Sequence, residues 1–304
     1  MEKEKKLEEE IDELEEEEEK EEHKSHKFLN FLIVLVLLII GLVMYSKYVG
    51  TKGLIVKEYR VESNILTENF SGLKIVHFSD LIYKSTVDSK DLEKIVKSIN
   101  KLKPDIIVFT GDLVTNNVKI SYKDSELLIS ELSKLDAKIG KYAIFGDKDF
   151  SYTEYTKVMD KSGFTILNNS YEEILYNSSD PLYIVGLPSS IKENTNLETA
   201  FDFYDELDRR FTIVLVHDGN TIKSLDESNY EVDMILGGHS LNGSVVIPKY
   251  GGIIKEKNTY KYSGPEYQKG ITKIFISSGI GTNEYGYRLF NKPSFNFYRL
   301  KAQS

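Results

Sequence analysis

An uncharged apolar run from Phe28 to Tyr45 constrains this chain more than any other feature of its sequence. Eighteen helical residues, at a rise of about 1.5 Å each, cover about 27 Å, close to the hydrocarbon thickness of a bilayer. A cleaved signal peptide is the alternative, but the following residues, MYSKYVGTKG, offer no small-residue cleavage site. The run therefore predicts a single uncleaved transmembrane helix at residues 28–46.

The net charge of −9 lies mainly in front of that run. Residues 1–27 hold 14 acidic and 6 basic side chains, which predicts an acidic tail that is disordered or helical. The remainder is nearly neutral and has no basic stripe, so we expect no nucleic-acid partner. The absence of cysteine excludes disulfide and thiolate chemistry. Residues 47–53 are a predicted linker, and residues 54–304 a predicted globular domain.

Apolar, β-rich segments alternate with amphipathic ones through this predicted domain. Helices are expected near 91–103, 124–137 and 197–209, and each follows a strand-like run. Continuous apolar strands separated by helices predict an α/β domain whose sheet is buried on both faces. The later strands have fewer helices between them, which indicates that part of the sheet is antiparallel. The strand-like runs are LKIVHF (73–78), DIIVFTGD (105–112), KYAIFGD (141–147), LYIVGL (182–187), FTIVLVHD (211–218), VDMILGGHS (232–240), KIFISSGIG (273–281) and FNFYRL (295–300).

Five of these strands end in an aspartate or a histidine. In α/β folds, ligands bind beyond the carboxyl ends of the strands. A single such residue is often a helix cap or a turn residue, but five in series favour a functional edge. The residues are Asp80, Asp112, the group Asp147-Lys148-Asp149, His217 and His239.

The five histidines of the chain divide into three kinds. His23 and His26 lie in the acidic tail, and His77 lies inside a strand, where a hydrogen-bonded core histidine is expected. His217 and His239 stand at strand ends beside carboxylates. Imidazole combined with carboxylate suits Mn, Fe, Zn or Co better than Ca or Mg.

The order of these motifs resembles that of the calcineurin-like metallophosphoesterases, which carry Asp-x-His, Gly-Asp, Gly-Asn-His-Asp, His and Gly-His-x-His. The resemblance covers roughly residues 54–300 and is strongest to the membrane-anchored bacterial branch, whose members end much like SSGIGT…YRLFNKPSF. It implies a four-layer αββα sandwich with mixed sheets, here preceded by a transmembrane helix. It also implies a dinuclear metal centre that hydrolyses phosphate esters.

Carried over residue by residue, the resemblance implies one eroded metal site. The first site of the family corresponds to Asp80, Ile82, Asp112 and Leu241, so two imidazoles are replaced by aliphatic side chains that cannot bind a metal. The second site corresponds to Asp112, Asp147, His217 and His239, all of which can. The catalytic histidine of the family corresponds to Lys148, and its carboxylate partner to Asp149.

We therefore expect one divalent ion, Mn, Fe, Zn or Co, on the second set of ligands, and an empty first site. Asp80 is a further candidate ligand, and Lys148, Asp149 and Asp80 are the candidate catalytic residues. Three alternatives stay open: a weak mononuclear phosphoesterase, an inactive scaffolding pseudoenzyme, and a metal-free site in which Lys148 pairs with Asp80 or Asp112. The last is the least favoured.

The resemblance also bears on partners and location. It implies a phosphoester or a phospholipid-like small molecule as the ligand, and a single-pass protein of the cell membrane. The lysines on the two sides of the apolar run are nearly balanced, so the positive-inside rule does not orient it. By analogy with the membrane-anchored branch, we expect the globular domain outside the cytoplasm.

Overall fold

A computed structural model describes residues 2–116, 118–176, 179–254, 256–282 and 284–303. The chain divides into two compact units, Met1–Ser46 and Lys47–Ser304. Helix α1 (Glu2–Tyr48) extends through the acidic segment into the apolar run. Within it, His26–Tyr48 is long and apolar enough to cross a membrane, judged by length and composition.

The described part of the second unit contains fourteen strands, five α-helices and two short 3₁₀ helices, Glu68–Phe70 and Asp149–Ser151. The helices are α2 (Ser89–Asn100), α3 (Tyr122–Leu132), α4 (Tyr155–Lys161), α5 (Leu197–Ala200) and α6 (Gly219–Asp226). The strands are β1 (Ile55–Ser63), β2 (Lys74–Phe78), β3 (Ile106–Phe109), β4 (Gly140–Ala143), β5 (Thr165–Ile166), β6 (Ser170–Ile174), β7 (Leu182–Gly186), β8 (Thr212–Leu215), β9 (Met234–Gly237), β10 (Val245–Ile247), β11 (Gly251–Ile254), β12 (Glu266–Lys269), β13 (Thr272–Ile276) and β14 (Ser294–Ala302).

Twelve of the strands form two mixed sheets of six. The first sheet has the order β1-β14-β2-β3-β4-β5, and the second has the order β12-β13-β9-β8-β7-β6. Strand β14 pairs parallel to β1 and antiparallel to β2, so the last strand along the chain lies inside the first sheet. Strands β2, β3 and β4 run parallel, as do β7, β8 and β9. The remaining strands, β10 and β11, form a separate hairpin.

The alternation of side chains along each strand produces three apolar layers. In β2, Val76 and Phe78 pack with α2, α3 and α4, whereas Ile75 faces the second sheet. In β8, Ile213 faces the first sheet, whereas Val214 packs with α6. Successive strand residues point to opposite faces, so each sheet is buried on both sides. The predicted αββα sandwich with mixed sheets is confirmed.

Local sequence signals set the helix starts. Asp88 caps α2 by accepting from the amides of Lys90 and Asp91, and Ser121 begins α3 with a capping box. Asp218 caps α6, a helix that the apolar pattern does not predict. Such caps satisfy amide groups that the helix itself leaves unpaired.

The helix expected near 197–209 is wrong in length, because α5 ends at Ala200. Beyond it the chain turns, and Phe203 stacks on Tyr183 of β7 with ring centroids 3.9 Å apart. Phe201 stacks on Tyr230 at 4.5 Å. These aromatic contacts, with β7 and with the loop before β9, replace further helical turns, since tertiary packing overrides a weak local preference for helix.

Candidate metal centre

Two imidazoles and two carboxylates meet where strands of both sheets end. Asp112 follows β3, Asp147 follows β4, His217 follows β8 and His239 follows β9. Their ligand atoms all lie within 4.8 Å of one another. Small side-chain rotations bring such a group to metal–ligand distances of about 2.1 Å. The structure therefore joins the four residues that correspond to the second metal site.

The ring of His217 is oriented by the backbone. Its Nδ1 lies 2.7 Å from the carbonyl oxygen of Thr110 and donates to it, so Nε2 is left for the site. Nε2 is 3.0 Å from Asp147 Oδ1 and 3.5 Å from Asp112 Oδ1. Burial disfavours the charged ring, but the carboxylates of Asp112, Asp147 and Asp80 together outweigh burial and hold the pKa of His217 well above its usual range.

His239 uses its two nitrogens in the opposite way. Nε2 donates to the carbonyl oxygen of Lys257 at 2.6 Å, and Nδ1 lies 3.2 Å from Asp147 Oδ1. Despite this short distance, the buried Nδ1 makes no hydrogen bond of acceptable geometry among the residues that the structure describes. A second nitrogen held by a backbone carbonyl is typical of metal-binding histidines. The orphaned Nδ1 and the converging carboxylates fit a divalent ion.

Close backbone approach around Asp112 requires glycine. A Cβ added to Gly146 would lie 2.4 Å from Asp112 Oδ1 and 2.9 Å from His217 Cε1. A Cβ added to Gly111 would lie 2.3 Å from the amide nitrogen of Gly146. The two glycines therefore let the ends of β3 and β4 come together beneath the ligands.

The carboxylate of Asp149 connects the segments that follow β3 and β4. Its carboxylate accepts from the amides of Asp112, Leu113 and Gly146, each at 2.8 Å, and its side chain is buried. Burial, followed by the nearby charge of Asp112, raises the pKa of Asp149 to about 7. In this position Asp149 fixes the loops that carry Asp112 and Asp147. Its predicted catalytic role stays a prediction.

Lys148 reaches across the site to Asp112. Its backbone amide donates to Asp112 Oδ1 at 2.9 Å, and its Nζ donates to Asp112 Oδ2. Burial opposes the charge, but the carboxylates of Asp112, Asp147 and Asp80 together raise the pKa of Lys148 above its ordinary value. Burial also disfavours the charge on Asp112, but Lys148 and His217 together outweigh burial and lower the pKa of that carboxyl. Lys148 and Asp112 therefore form a stable ion pair within the group of metal ligands.

Asp80 lies beside the four-residue group and is not part of it. Its Oδ2 accepts from Ser79 Oγ at 2.6 Å and from the amide of His239 at 3.0 Å. Burial raises the pKa of Asp80, and the charge of Asp112 adds to that effect. The structure thus gives Asp80 a positioning contact to a ligand residue. Its predicted metal-binding and catalytic roles stay predictions.

Ile82 and Leu241 have a left-handed backbone conformation, which is unfavourable for aliphatic side chains. Ile82 has φ 45° and Leu241 has φ 52°, both in the left-handed region. Among residues other than glycine, that region favours Asn, Asp and His, and a β-branched residue there is strained. Asp80, Asp112 and His239 also have φ between 50° and 63°. The backbone at Ile82 and Leu241 therefore has a conformation that suits histidine better than it suits these aliphatic residues.

A cavity of about 390 Å³ opens over the site. Asp147, Lys148 and His239 line its floor, and Ile82 and Leu241 contribute to its apolar wall. Lys84, on the loop that carries Ile82, does not line the cavity and instead pairs with Asp124 at 2.7 Å. Two lysines, Lys148 and Lys257, line the cavity, and of these Lys148 donates from its ammonium to the ligand residue Asp112.

Several positioning groups carry no sequence signal. The carbonyls of Thr110 and Lys257 orient the two imidazoles, and a backbone carbonyl has no side-chain signature. Arg288 is fully buried and donates to the carbonyls of Ser278, Gly279, Gly281 and Asn291. Burial lowers the pKa of Arg288 to about 10. Arg288 thus holds the loop that passes next to Asp80.

Comparison with known proteins gives consistent matches. A family model described as calcineurin-like phosphoesterase matches residues 73–243. The chain is similar to the uncharacterized metallophosphoesterase YkuE of Bacillus subtilis, with 31% identity over 85% of this chain and 89% of that protein. It is 25% identical to the UDP-2,3-diacylglucosamine pyrophosphatase LpxG of Chlamydia muridarum, over 69% of this chain and 78% of that protein.

Two further comparisons extend these matches. A transmembrane protein with metallophosphoesterase domain from Danio rerio is 24% identical over 59% of this chain and 43% of that protein. The solved structure of calcineurin-like phosphoesterase YfkN from Bacillus subtilis aligns over 72% of this chain and 88% of that chain. Its TM-score is 0.44 and its sequence identity 14%.

Proposed function

This chain belongs to the calcineurin-like phosphoesterase family, and we propose that it is a membrane-anchored phosphoesterase working with one divalent ion. The observation that carries this proposal is the pairing of His217 and His239. Each ring is fixed by a backbone carbonyl and directs its other nitrogen toward Asp147. Asp112 and Asp147 complete four ligands, and Mn, Fe, Zn and Co suit such a donor set.

The ion would supply a bound water of lowered pKa and a Lewis acid for a phosphoryl oxygen. The chain's own residues would bind the phosphate and position the metal ligands. Lys148 opens onto the cavity and offers an ammonium to the phosphate, while Asp149 keeps the ligand loops in register. No histidine of the chain corresponds to the family's catalytic imidazole, and lysine is a poor general acid unless its pKa is lowered. We therefore expect slow turnover.

The charge of the site favours a singly charged phosphoester. With Asp80, Asp112 and Asp147 all ionised, these carboxylates, one divalent ion and the ammonium of Lys148 sum to zero, and protonation of Asp80, whose pKa is raised by burial, brings the sum to +1. A dianionic monoester is less attracted to such a site than to the more positive dinuclear centre of the family. We expect phosphodiesters to be hydrolysed faster than monoesters with the same leaving group.

The membrane helix and one relative support an amphipathic substrate. The candidate span His26–Tyr48 would hold the domain at a bilayer, and the chlamydial relative LpxG is a pyrophosphatase of a diacylated sugar nucleotide by name. We propose a phospholipid-like phosphoester as substrate, with the domain on the extracytoplasmic side.

A scaffolding pseudoenzyme is the second candidate function. Ile82, Leu241 and Lys148 stand where the family has histidines, and this pattern favours loss of catalysis. Such a domain would keep the cavity as a binding surface. It would bind the ion and a phosphoester without turnover.

Full-length protein in detergent micelles, stripped with chelator and reloaded with excess Mn²⁺, tests these candidates. We expect one Mn²⁺ per chain by elemental analysis, and slow hydrolysis of bis(p-nitrophenyl) phosphate that His217→Ala abolishes. One bound ion without turnover would support the pseudoenzyme. A chain that binds no ion would refute the metal site.

A further inference from the structure

Asp112 uses its two oxygens for two different kinds of partner. Oδ1 faces the metal ligands and lies 3.5 Å from His217 Nε2. Oδ2 accepts from the Nζ of Lys148. The amide of Lys148 also bonds Oδ1 at 2.9 Å, so the backbone itself anchors the lysine beside this carboxylate. The ammonium of Lys148 therefore binds Oδ2, the oxygen of Asp112 that does not face the other three metal ligands.

Ile82 and Leu241 offer no metal-binding atom from their side chains to a second ion. Both line the cavity and are buried, at 3% and 1% exposure. A Cβ added to Gly279 would lie 2.4 Å from Leu241 Cδ2 and 2.9 Å from Asp80 Cβ, so the glycine loop packs closely against this pocket. Of the four residues that correspond to the first site, Asp80 and Asp112 are the two that can bind a metal, and a divalent metal usually needs four or more ligands. An ammonium needs only hydrogen-bond acceptors.

Lys148 also connects the buried carboxylates to the cavity. Its side chain is 25% exposed, whereas that of Asp112 is fully buried. Nζ has three donors, and Asp112 accepts from it, while the same lysine lines the cavity beside Asp147 and His239. An oxyanion in the cavity would therefore meet the ammonium on one side and an ion on the four ligands on the other.

We propose that the ammonium of Lys148 is the second cation of this centre. Asp112 then bridges a metal ion and an ammonium, and the site binds one ion together with a tetrahedral oxyanion. The inference deepens the proposed function and depends on its metal site. It explains why both imidazoles of the first site can be absent while Asp80 and Asp112 remain.

Metal stoichiometry separates this proposal from a merely damaged site. In the double variant Ile82→His, Leu241→His, the histidines of the first site are restored in a backbone conformation that suits them. With Lys148 present, we expect this variant to bind one Mn²⁺ per chain, as the parent does. Adding Lys148→Met should raise the content to two, because the competing ammonium is removed. Two ions bound with Lys148 present would overturn the proposal.

Oxyanion binding gives a second readout that needs no turnover. Calorimetric titration of the Mn²⁺-loaded full-length protein with vanadate should show at least tenfold weaker binding in Lys148→Met. Lys148→Arg, which keeps the charge, should restore most of it. The matched control is Lys84→Met, since that lysine pairs with Asp124 and lies outside the cavity. Unchanged vanadate affinity in Lys148→Met would overturn the proposal.

The two proposals fail in different ways. A parent protein without any bound Mn²⁺ contradicts the proposed metal site itself. A parent with one ion, whose Lys148→Met variant binds vanadate normally, contradicts only the role of the ammonium. Circular dichroism and thermal melting of each variant confirm that the compared proteins are folded. The single substitutions at Lys148 also test the ammonium if the restored-histidine variants fail to fold.

Discussion

His217 and His239 are similar in burial and opposite in orientation. One donates through Nδ1 and the other through Nε2, and both leave a nitrogen near Asp147 Oδ1. The strand-end positions of these histidines could be predicted from the sequence. Which nitrogen faces the site could not, because the carbonyls of Thr110 and Lys257 decide it. Lys257 lies in an irregular loop with no motif.

Removing one imidazole should remove the ion without unfolding the chain. We expect His239→Ala to lower the Mn²⁺ content of the purified protein at least tenfold, because three ligands remain where four are needed. His77→Gln is the matched control, because that ring bonds Tyr298 and Thr110 inside the core. Elemental analysis after gel filtration measures the content. Full Mn²⁺ content in His239→Ala would contradict the site.

His77 should make stability depend on pH. Burial lowers its pKa to about 3, whereas an unfolded histidine titrates near about 6.5. Between these values the unfolded chain binds the extra proton, so the free energy of unfolding should fall as pH falls from 6.5 toward 3. The loss attributable to His77 is on the order of 5 kcal/mol when the pH has fallen to 3.

Urea unfolding at several pH values measures this loss. The variant His77→Gln keeps an amide in place of the ring and cannot titrate. Other acidic groups contribute equally to both proteins, so the difference in slope belongs to His77. Equal slopes for the two proteins would show that His77 is accessible to protons in the folded state.

At the scale of elements, the strands could be predicted better than the helices. Each long apolar run from 73 to 240 became a strand, since residues facing two apolar layers leave an uninterrupted apolar pattern. Helix α6 was missed, because Gly219 and Asn220 weaken its local preference and Asp218 starts it by capping. Strand β1 was missed as well, because its residues alternate with exposed charged ones such as Glu58 and Arg60.

The loop from Ser278 to Gly281 depends on a distant side chain. Arg288 donates to four backbone carbonyls and is fully buried, so Arg288→Met would leave buried acceptors unpaired. We expect a loss of about 3 kcal/mol or more in unfolding free energy. Chemical denaturation measures it. Lys292→Met, at an exposed position nearby, should change stability by less than about 0.5 kcal/mol.

At the scale of the whole molecule, the apolar part of α1 is a candidate membrane span. The span His26–Tyr48 could be predicted from composition alone, because a bilayer imposes a simple length requirement. Its orientation could not, since lysines flank both ends in nearly equal numbers. Sidedness therefore needs a direct measurement.

The absence of cysteine makes that measurement simple. Lys24→Cys places one thiol before the span, and Leu207→Cys places one on the domain, where Leu207 is 97% exposed. With the domain outside, a membrane-impermeant maleimide should label Leu207→Cys on intact cells and label Lys24→Cys only after permeabilisation. The reverse pattern would place the domain in the cytoplasm.

The position of β14 between β1 and β2 has a consequence for biosynthesis. A ribosome releases β1 and β2 long before β14, so the nascent first sheet keeps an open slot until this strand emerges. The first sheet therefore cannot be completed until residues 294–302 have been made. A polypeptide that stays unfolded during synthesis remains suitable for threading through a translocation channel.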